Sequence, residues 1–145
     1  MEYSSDGLRL TEQFESCRLS AYLDSRDTPT IGWGHTLDVK LGDTCTQAQA
    51  DAWLLADIQN AADTVNRLVT APLTQEMFDA ITDLVYNIGS GNFSSSTMLR
   101  LLNQHEFQIA AAEFAKWDRA GGQEVAGLLR RRIAEEQLFE TNDQS

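Results

Sequence analysis

The stretch Phe14-Glu15-Ser16-Cys17-Arg18-Leu19-Ser20-Ala21-Tyr22-Leu23-Asp24-Ser25-Arg26-Asp27-Thr28-Pro29-Thr30-Ile31-Gly32-Trp33-Gly34-His35 decides how this chain is read. Glu15 closes a short helical pattern over residues 4–14. There Ser5 or Asp6 makes a fair N-cap, and Leu8, Leu10 or Thr11, and Phe14 fall near one face. From Leu19 the spacing turns from helical to alternating. Leu19, Ala21 and Leu23 interleave with Ser20 and Tyr22, turn residues follow from Asp24 to Pro29, and a second extended run begins. Gly32 and Gly34 on either side of Trp33 predict a bulge or a close backbone approach. A helix thus hands Glu15 to a β-hairpin that brackets Asp24 and Thr30. Two carboxylates and a hydroxyl set across a cleft are equipment for cleaving a glycosidic bond. One acid stays protonated toward the leaving oxygen, and the other is ionised to guide water or stabilise positive charge. Asp, Ser and Thr also serve as turn and cap residues, so spacing alone leaves both readings open.

Outward from this stretch the chain is helical. Thr46 and Gln49 form a capping-box pair opening a long helix, whose stripe runs Ala50, Trp53-Leu54, Ile58, Ala61, Val65, Leu68-Val69. Such a helix is long enough to join two lobes. Thr74 caps a second helix with a broad apolar face (Met77-Phe78, Ile81, Leu84-Val85, Ile88), which Gly89 stops. Ser94-Ser-Ser-Thr restarts a helix carrying Met98, Leu99, Leu101 and Leu102. Another covers roughly 107–114, Gly121-Gly122 marks a loop, and a final helix spans about 128–139 before a polar, frayed tail. No repeat or linker divides the chain. The expectation is an α+β, mainly helical fold of two lobes. A small N-terminal helix and β-hairpin lobe covers about 1–45, a connecting helix about 47–69 and a helical lobe about 70–141, with a cleft between the lobes.

Composition bounds the function. At 145 residues and 42% hydrophobic the chain is one domain with a real core. A net charge of −11 argues against nucleic acid, because phosphate binding needs clustered Lys and Arg. No apolar run is long enough to span a membrane. The start Met1-Glu2-Tyr3-Ser4-Ser5 has neither a basic nor an apolar targeting segment, so synthesis in the cytoplasm without a signal peptide is expected. Cys17 and Cys45 form no CxxC and no metal cluster with the two histidines. No metal or other cofactor is expected. Cys17 lacks the partners of a nucleophile, so two reduced thiols are the reading, with a disulfide after release left open.

Phe14 to Asp24 followed by Thr30-Ile31-Gly32-Trp33-Gly34-His35-Thr36 closely resembles the phage-type lysozymes, the endolysin muramidases of glycoside hydrolase family 24. That family spaces a Glu, eight residues, an Asp or Cys, five residues and a Thr before Ile-Gly-x-Gly-His. Thr46 through Asp57, Pro72 through Gly89, Phe93 and Thr97, Trp117 through Gly122, and Gly127 through Glu135 continue the likeness over nearly the whole chain. Two departures flank the site. Ser16 stands where Gly usually follows the catalytic Glu, and Asp27 where the turn usually has Gly. Asp tolerates positive φ better than most residues, and it adds a carboxylate near the cleft.

The resemblance implies an endo-acting muramidase that hydrolyses the β-1,4 bond between N-acetylmuramic acid and N-acetylglucosamine in bacterial peptidoglycan, lysing a host cell. It implies Glu15 as general acid, Asp24 as its ionised partner and Thr30 as a holder of water. Inversion would require carboxyl groups about 6.5–9.5 Å apart. Tyr86 and Asn87 match positions facing the sugar cleft; their plainer readings are a core aromatic and a C-cap amide. His35 is expected to pair with Asp57 in a salt bridge between the hairpin and the long helix. Arg130-Arg131-Arg132 points in three directions on a helix. One of the three should approach Glu15, Arg131 being favoured, and Arg131 can also pair with Glu135 one turn on. A monomer is expected, with a separate export factor such as a holin. Two other classes are weighed: a lysozyme-like module that binds peptidoglycan without cutting it, and a lytic transglycosylase, which needs no hydrolytic water. Glu15, Asp24 and Thr30 together argue against both.

Overall fold

A computed structural model describes residues 1–24, 26–120, 123–124 and 126–141. The elements run α1 (Ser5–Phe14), β1 (Arg18–Leu23), β2 (Pro29–Gly32), α2 (Gln47–Leu68), α3 (Gln75–Ile88), α4 (Ser90–Ser94), α5 (Thr97–Asn103), α6 (Phe107–Ala112), a 3-10 turn (Phe114–Lys116), β3 (Arg119–Ala120), β4 (Gln123–Glu124) and α7 (Ala126–Phe139). The fold is mainly helical, with a small antiparallel β1–β2 hairpin, as the spacing predicts.

Helix α1 starts at Ser5, one residue after the expected 4, and its cap stands one residue before the expected Ser5. Ser4, extended at φ −87° and ψ 167°, caps it by accepting from the N–H of Gly7. Asp79 selects Ser4 over Ser5 and Asp6, because it accepts from both the Ser4 N–H and the Ser4 hydroxyl. The buried positions of α1 are Gly7 and Thr11 rather than its leucines, since this helix faces polar groups of α3.

In the hairpin, Tyr22 pairs with Thr30 and Leu23 with Pro29, and an irregularity interrupts the register back toward Arg18 and Gly32. A third segment joins β1, with Ser20 bridging Thr44 and the Cys45 N–H donating to the Leu19 carbonyl. The capping box of α2 forms as expected, Thr46 accepting from the Gln49 N–H while Gln49 accepts from Thr46. Its 22 residues rise roughly 1.5 Å each, about 33 Å in all. One face of α2 buries Ala50, Leu54, Ile58, Ala61 and Val65.

The main core lies among α2, α3 and the later helices, around Phe78, Ile81, Leu84, Phe93, Met98, Leu102, Phe114 and Phe139. Each large apolar side chain fully buried there contributes about 1.5–3 kcal/mol. Thr74 caps α3, and Gly89 ends it at φ +92°, a conformation that favours glycine. The Ser-rich run resolves into the short α4 and then α5, capped by Ser96. Helix α7 starts two residues before the expected 128, and the β3–β4 pair has no counterpart in the sequence reading. The loop assigned to Gly121-Gly122 and the tail beyond Thr141 lie outside the described residues.

Candidate active site

Glu15 follows the last turn of α1, where the backbone becomes extended (φ −100°, ψ 132°) while its N–H still closes on the Thr11 carbonyl. Its side chain, 20% exposed, faces a cleft of about 750 Å³ that Asp24, Thr30, Tyr86, Asn87 and Trp117 also line. Both segments of the opening motif therefore reach one groove. Gly34, at φ +106°, lets the hairpin approach closely. A Cβ there would stand 3.1 Å from Glu15 Oε1 and 3.4 Å from the Tyr86 hydroxyl.

Asp24 is fixed by its own turn. Its Oδ1 accepts from the N–H groups of Arg26, at 2.8 Å, and Thr28, at 2.9 Å. Oδ2 has no partner among the described residues. Asp27 takes φ +59° at this turn, which its short polar side chain tolerates, and it is exposed. The buried hydroxyl of Thr30 donates to the Thr28 carbonyl at 2.8 Å, which leaves its oxygen to act as an acceptor.

Behind Glu15 lies a polar wall. Arg131 donates from Nη1 to Glu15 Oε2 at 2.7 Å, and through Nε (2.9 Å) and Nη2 (2.8 Å) to both oxygens of Asp83. Thr11 also donates to Asp83, at 2.7 Å. Arg130 is exposed and Arg132 lies deeper, so Arg131 is the arginine that meets Glu15. Glu135 sits 3.7 Å from Arg131 Nε, but its nearer partner is Arg132, at 2.8 Å.

The wall holds three carboxyls (Glu15, Asp83, Glu135) and two guanidiniums. A surplus negative charge in so buried a place is costly, which favours a proton on one of the carboxyls. Burial raises the pKa of Glu15, and Asp83 adds to the rise, while the Arg131 contact restrains it. Burial likewise raises Glu135, with Asp83 adding to it. Burial opposes ionisation of Asp83 too, but Arg131 beside it wins and holds this carboxyl below its ordinary range. The arrangement can keep an acid protonated at the cleft while anchoring it to a charged support.

Tyr86 donates to the Trp33 carbonyl at 3.0 Å and ties α3 to the hairpin; burial, then the Glu15 charge, pushes its hydroxyl pKa up. Asn87 accepts from Arg132 Nη2 at 2.9 Å. His35 does not line the cleft. Its Nδ1 meets Asp57 Oδ2 at 2.9 Å and its ring stacks on Trp53, with centroids 4.6 Å apart and planes 5° apart. Trp53 and Asp57 are one turn apart on α2, so that helix clasps the hairpin from below. Trp33 adds a bond from Nε1 to Asp51 at 2.8 Å. Cys17 and Cys45 are free thiols.

Sequence reasoning missed Asp83 and Thr11 as parts of the site, and weighed Arg132 only as an alternative partner for Glu15. The sequence carried no signal for Asp83, which stands with Glu76 and Asp79 on the side of α3 opposite Ile81, Leu84 and Val85.

Comparison with known proteins agrees with this geometry. The family model described as phage lysozyme matches residues 12–135. The endolysin of Acyrthosiphon pisum secondary endosymbiont phage 1 is 42% identical over 97% of this chain and 99% of its own length. That of Bacillus phage PZA is 39% identical over 96% of this chain, which spans 55% of that longer protein. Among solved structures, the muramidase domain of SpmX from Asticaccaulis excentricus superposes with a TM-score of 0.89 at 36% identity, covering 97% of this chain and 99% of that one. With a family model spanning the cleft and both of its walls, and full-length relatives at this identity, the chain belongs to the phage lysozyme family.

Proposed function

We propose that this chain is a peptidoglycan-hydrolysing endolysin, a muramidase that cleaves the β-1,4 bond between N-acetylmuramic acid and N-acetylglucosamine. The observation that carries the reading is the half-buried carboxyl of Glu15, its pKa raised, facing a cleft that Asp24 and Thr30 also line. Glu15 protonates the glycosidic oxygen as the bond breaks. Asp24, anchored at Oδ1 by two N–H groups, takes one proton through Oδ2 from the attacking water, and the Thr30 oxygen accepts a hydrogen bond from that water's other O–H, which the sugar product keeps. Arg131 is a positioning residue, holding Glu15 through Oε2 and leaving Oε1 to carry the proton. Tyr86 and Asn87 contact the sugar, while His35 and Asp57 brace the hairpin. The chain acts as one catalytic domain and as a monomer. It is made in the host cytoplasm and reaches the wall with the help of a separate export factor of the holin type. Among the described residues no helix is long and apolar enough to cross a membrane.

The test is clearing of outer-membrane-permeabilised Gram-negative cells by the native chain and by Glu15→Gln. The native chain is expected to clear them and the variant is not; equal clearing by both would remove the assignment. Mass spectrometry of the products is expected to show reducing ends. Anhydro ends would instead indicate a transglycosylase.

A further inference from the structure

Asn87 ends α3 on the cleft wall and is half-buried. Its carboxamide carries one acceptor oxygen and one donor NH2. Arg132 reaches it from α7 with Nη2 at 2.9 Å. A guanidinium accepts nothing, so the amide atom turned toward Arg132 must be the oxygen. The NH2 is left without a partner among the described residues, on a side chain that borders open cleft.

Arg132 and Glu135 are both fully buried. Nη2 donates to Glu135 Oε2 at 3.1 Å, and Nε lies 2.8 Å from Oε1 without hydrogen-bond geometry. Nη1 has no hydrogen-bond partner among the described residues. A buried pair so incompletely bonded does little for stability, and an apolar pair of the same volume would fill the core as well. What the pair does accomplish is to fix one nitrogen behind Asn87.

We propose that the Arg132–Glu135 pair is a positioning device: it locks the Asn87 carboxamide with its NH2 toward the cleft and so makes Asn87 an obligate donor to an uncharged acceptor oxygen of the glycan, the acetamido carbonyl above all. This rests on the cleft being the glycan site. It goes further in naming the atom presented and the groups that present it.

Asn87→Asp separates the possibilities. Aspartate keeps the shape and pairs more strongly with Arg132, but turns an acceptor toward an acceptor. Its Tm is expected to equal or exceed the native value. Its KM on purified sacculi, and its Kd for an N-acetylglucosamine tetramer, are expected to rise about tenfold or more, with the loss falling on binding rather than on kcat. Native-like binding by this variant would overturn the proposal. The double change Arg132→Met with Glu135→Met frees the amide to turn, and should raise KM about threefold while adding nothing further in an Asn87→Ala background. A penalty that persists undiminished in that background marks a purely structural pair and also overturns it. Should the double variant not fold, Arg132→Lys takes its place in the same cycle. A native chain that neither binds nor cleaves glycan would defeat the functional reading instead, whereas native-like Asn87→Asp defeats only this one.

Discussion

Replacing Asp83 by Asn alters one atom of a fully buried side chain and isolates how the wall behind Glu15 works. The carboxylate now takes two bonds from Arg131, at 2.8 and 2.9 Å, and one from Thr11, at 2.7 Å. Asn can keep one of the Arg131 bonds, but its NH2 then faces an N–H of the guanidinium. Arg131, itself 3% exposed, keeps Glu15 at 2.7 Å and the more distant Glu135 at 3.7 Å as counter-charges. Breaking one side of a buried ion pair costs about 3–5 kcal/mol. In a domain of this size that corresponds to a fall in Tm on the order of 10 °C. The pH dependence has a definite sign. Asp83 is held below its ordinary pKa, so its contribution is present above about pH 4 and is lost as pH falls through the lower folded value. The Tm gap between native chain and variant should therefore narrow on acidification below about pH 4. Asp83 also raises the pKa of Glu15, so the alkaline limb of the kcat/KM profile should move to lower pH in the variant. Thermal denaturation across pH and a pH–rate profile are the assays. A variant within about 1 kcal/mol of native stability, or an alkaline limb that stays put or moves up, refutes the reasoning.

Other consequences are as direct. Glu15→Gln should lose at least about a hundredfold in rate. It should match native stability near pH 4 and exceed it at neutral pH, because a carboxyl whose folded pKa is raised loses stability as pH climbs through that value; denaturant melts at two pH values check this. Gly34→Ala places a methyl 3.1 Å from Glu15 Oε1 at φ +106°. It should cost about 1–3 kcal/mol and displace the acid, read as a drop in kcat with the fold retained. His35→Asn removes the Asp57 bond and the Trp53 stack, and should cost about 2 kcal/mol while kcat stays within about threefold of native; full stability with no activity would contradict a bracing role. Moderate added salt should leave wall lysis unchanged or raise it, since a chain of net charge −11 meets an anionic substrate. A steep loss in turbidity assays would show otherwise.

The fold was legible wherever local chemistry decided it. The Thr46–Gln49 capping box, the stop at Gly89 and the stripe of α2 each depend on residues within a turn or two of one another. The cap of α1 was misplaced because the choice among Ser4, Ser5 and Asp6 was made by Asp79, 75 residues from Ser4. Helix α4 was missed because Ser90 to Ser94 has neither a side-chain cap nor an apolar stripe. Glu15, Asp24 and Thr30 were readable as a spaced set, and their convergence on one cleft follows from the hairpin between them. The wall was not readable, for it is assembled from α1, α3 and α7. No spacing rule reveals that Asp83 will face Arg131 across 48 residues, or Asn87 face Arg132 across 45.

The bond from Arg131 to Glu15 joins residues 116 apart, the first helix to the last. Until the ribosome has released α7 and that helix has docked, Glu15 lacks its anchor. A chain still being synthesised therefore carries the acid but cannot aim it, and fragments truncated before Arg131 should be inert however well their earlier helices form. Catalytic competence therefore waits on the docking of α7, whatever the state of the elements before it.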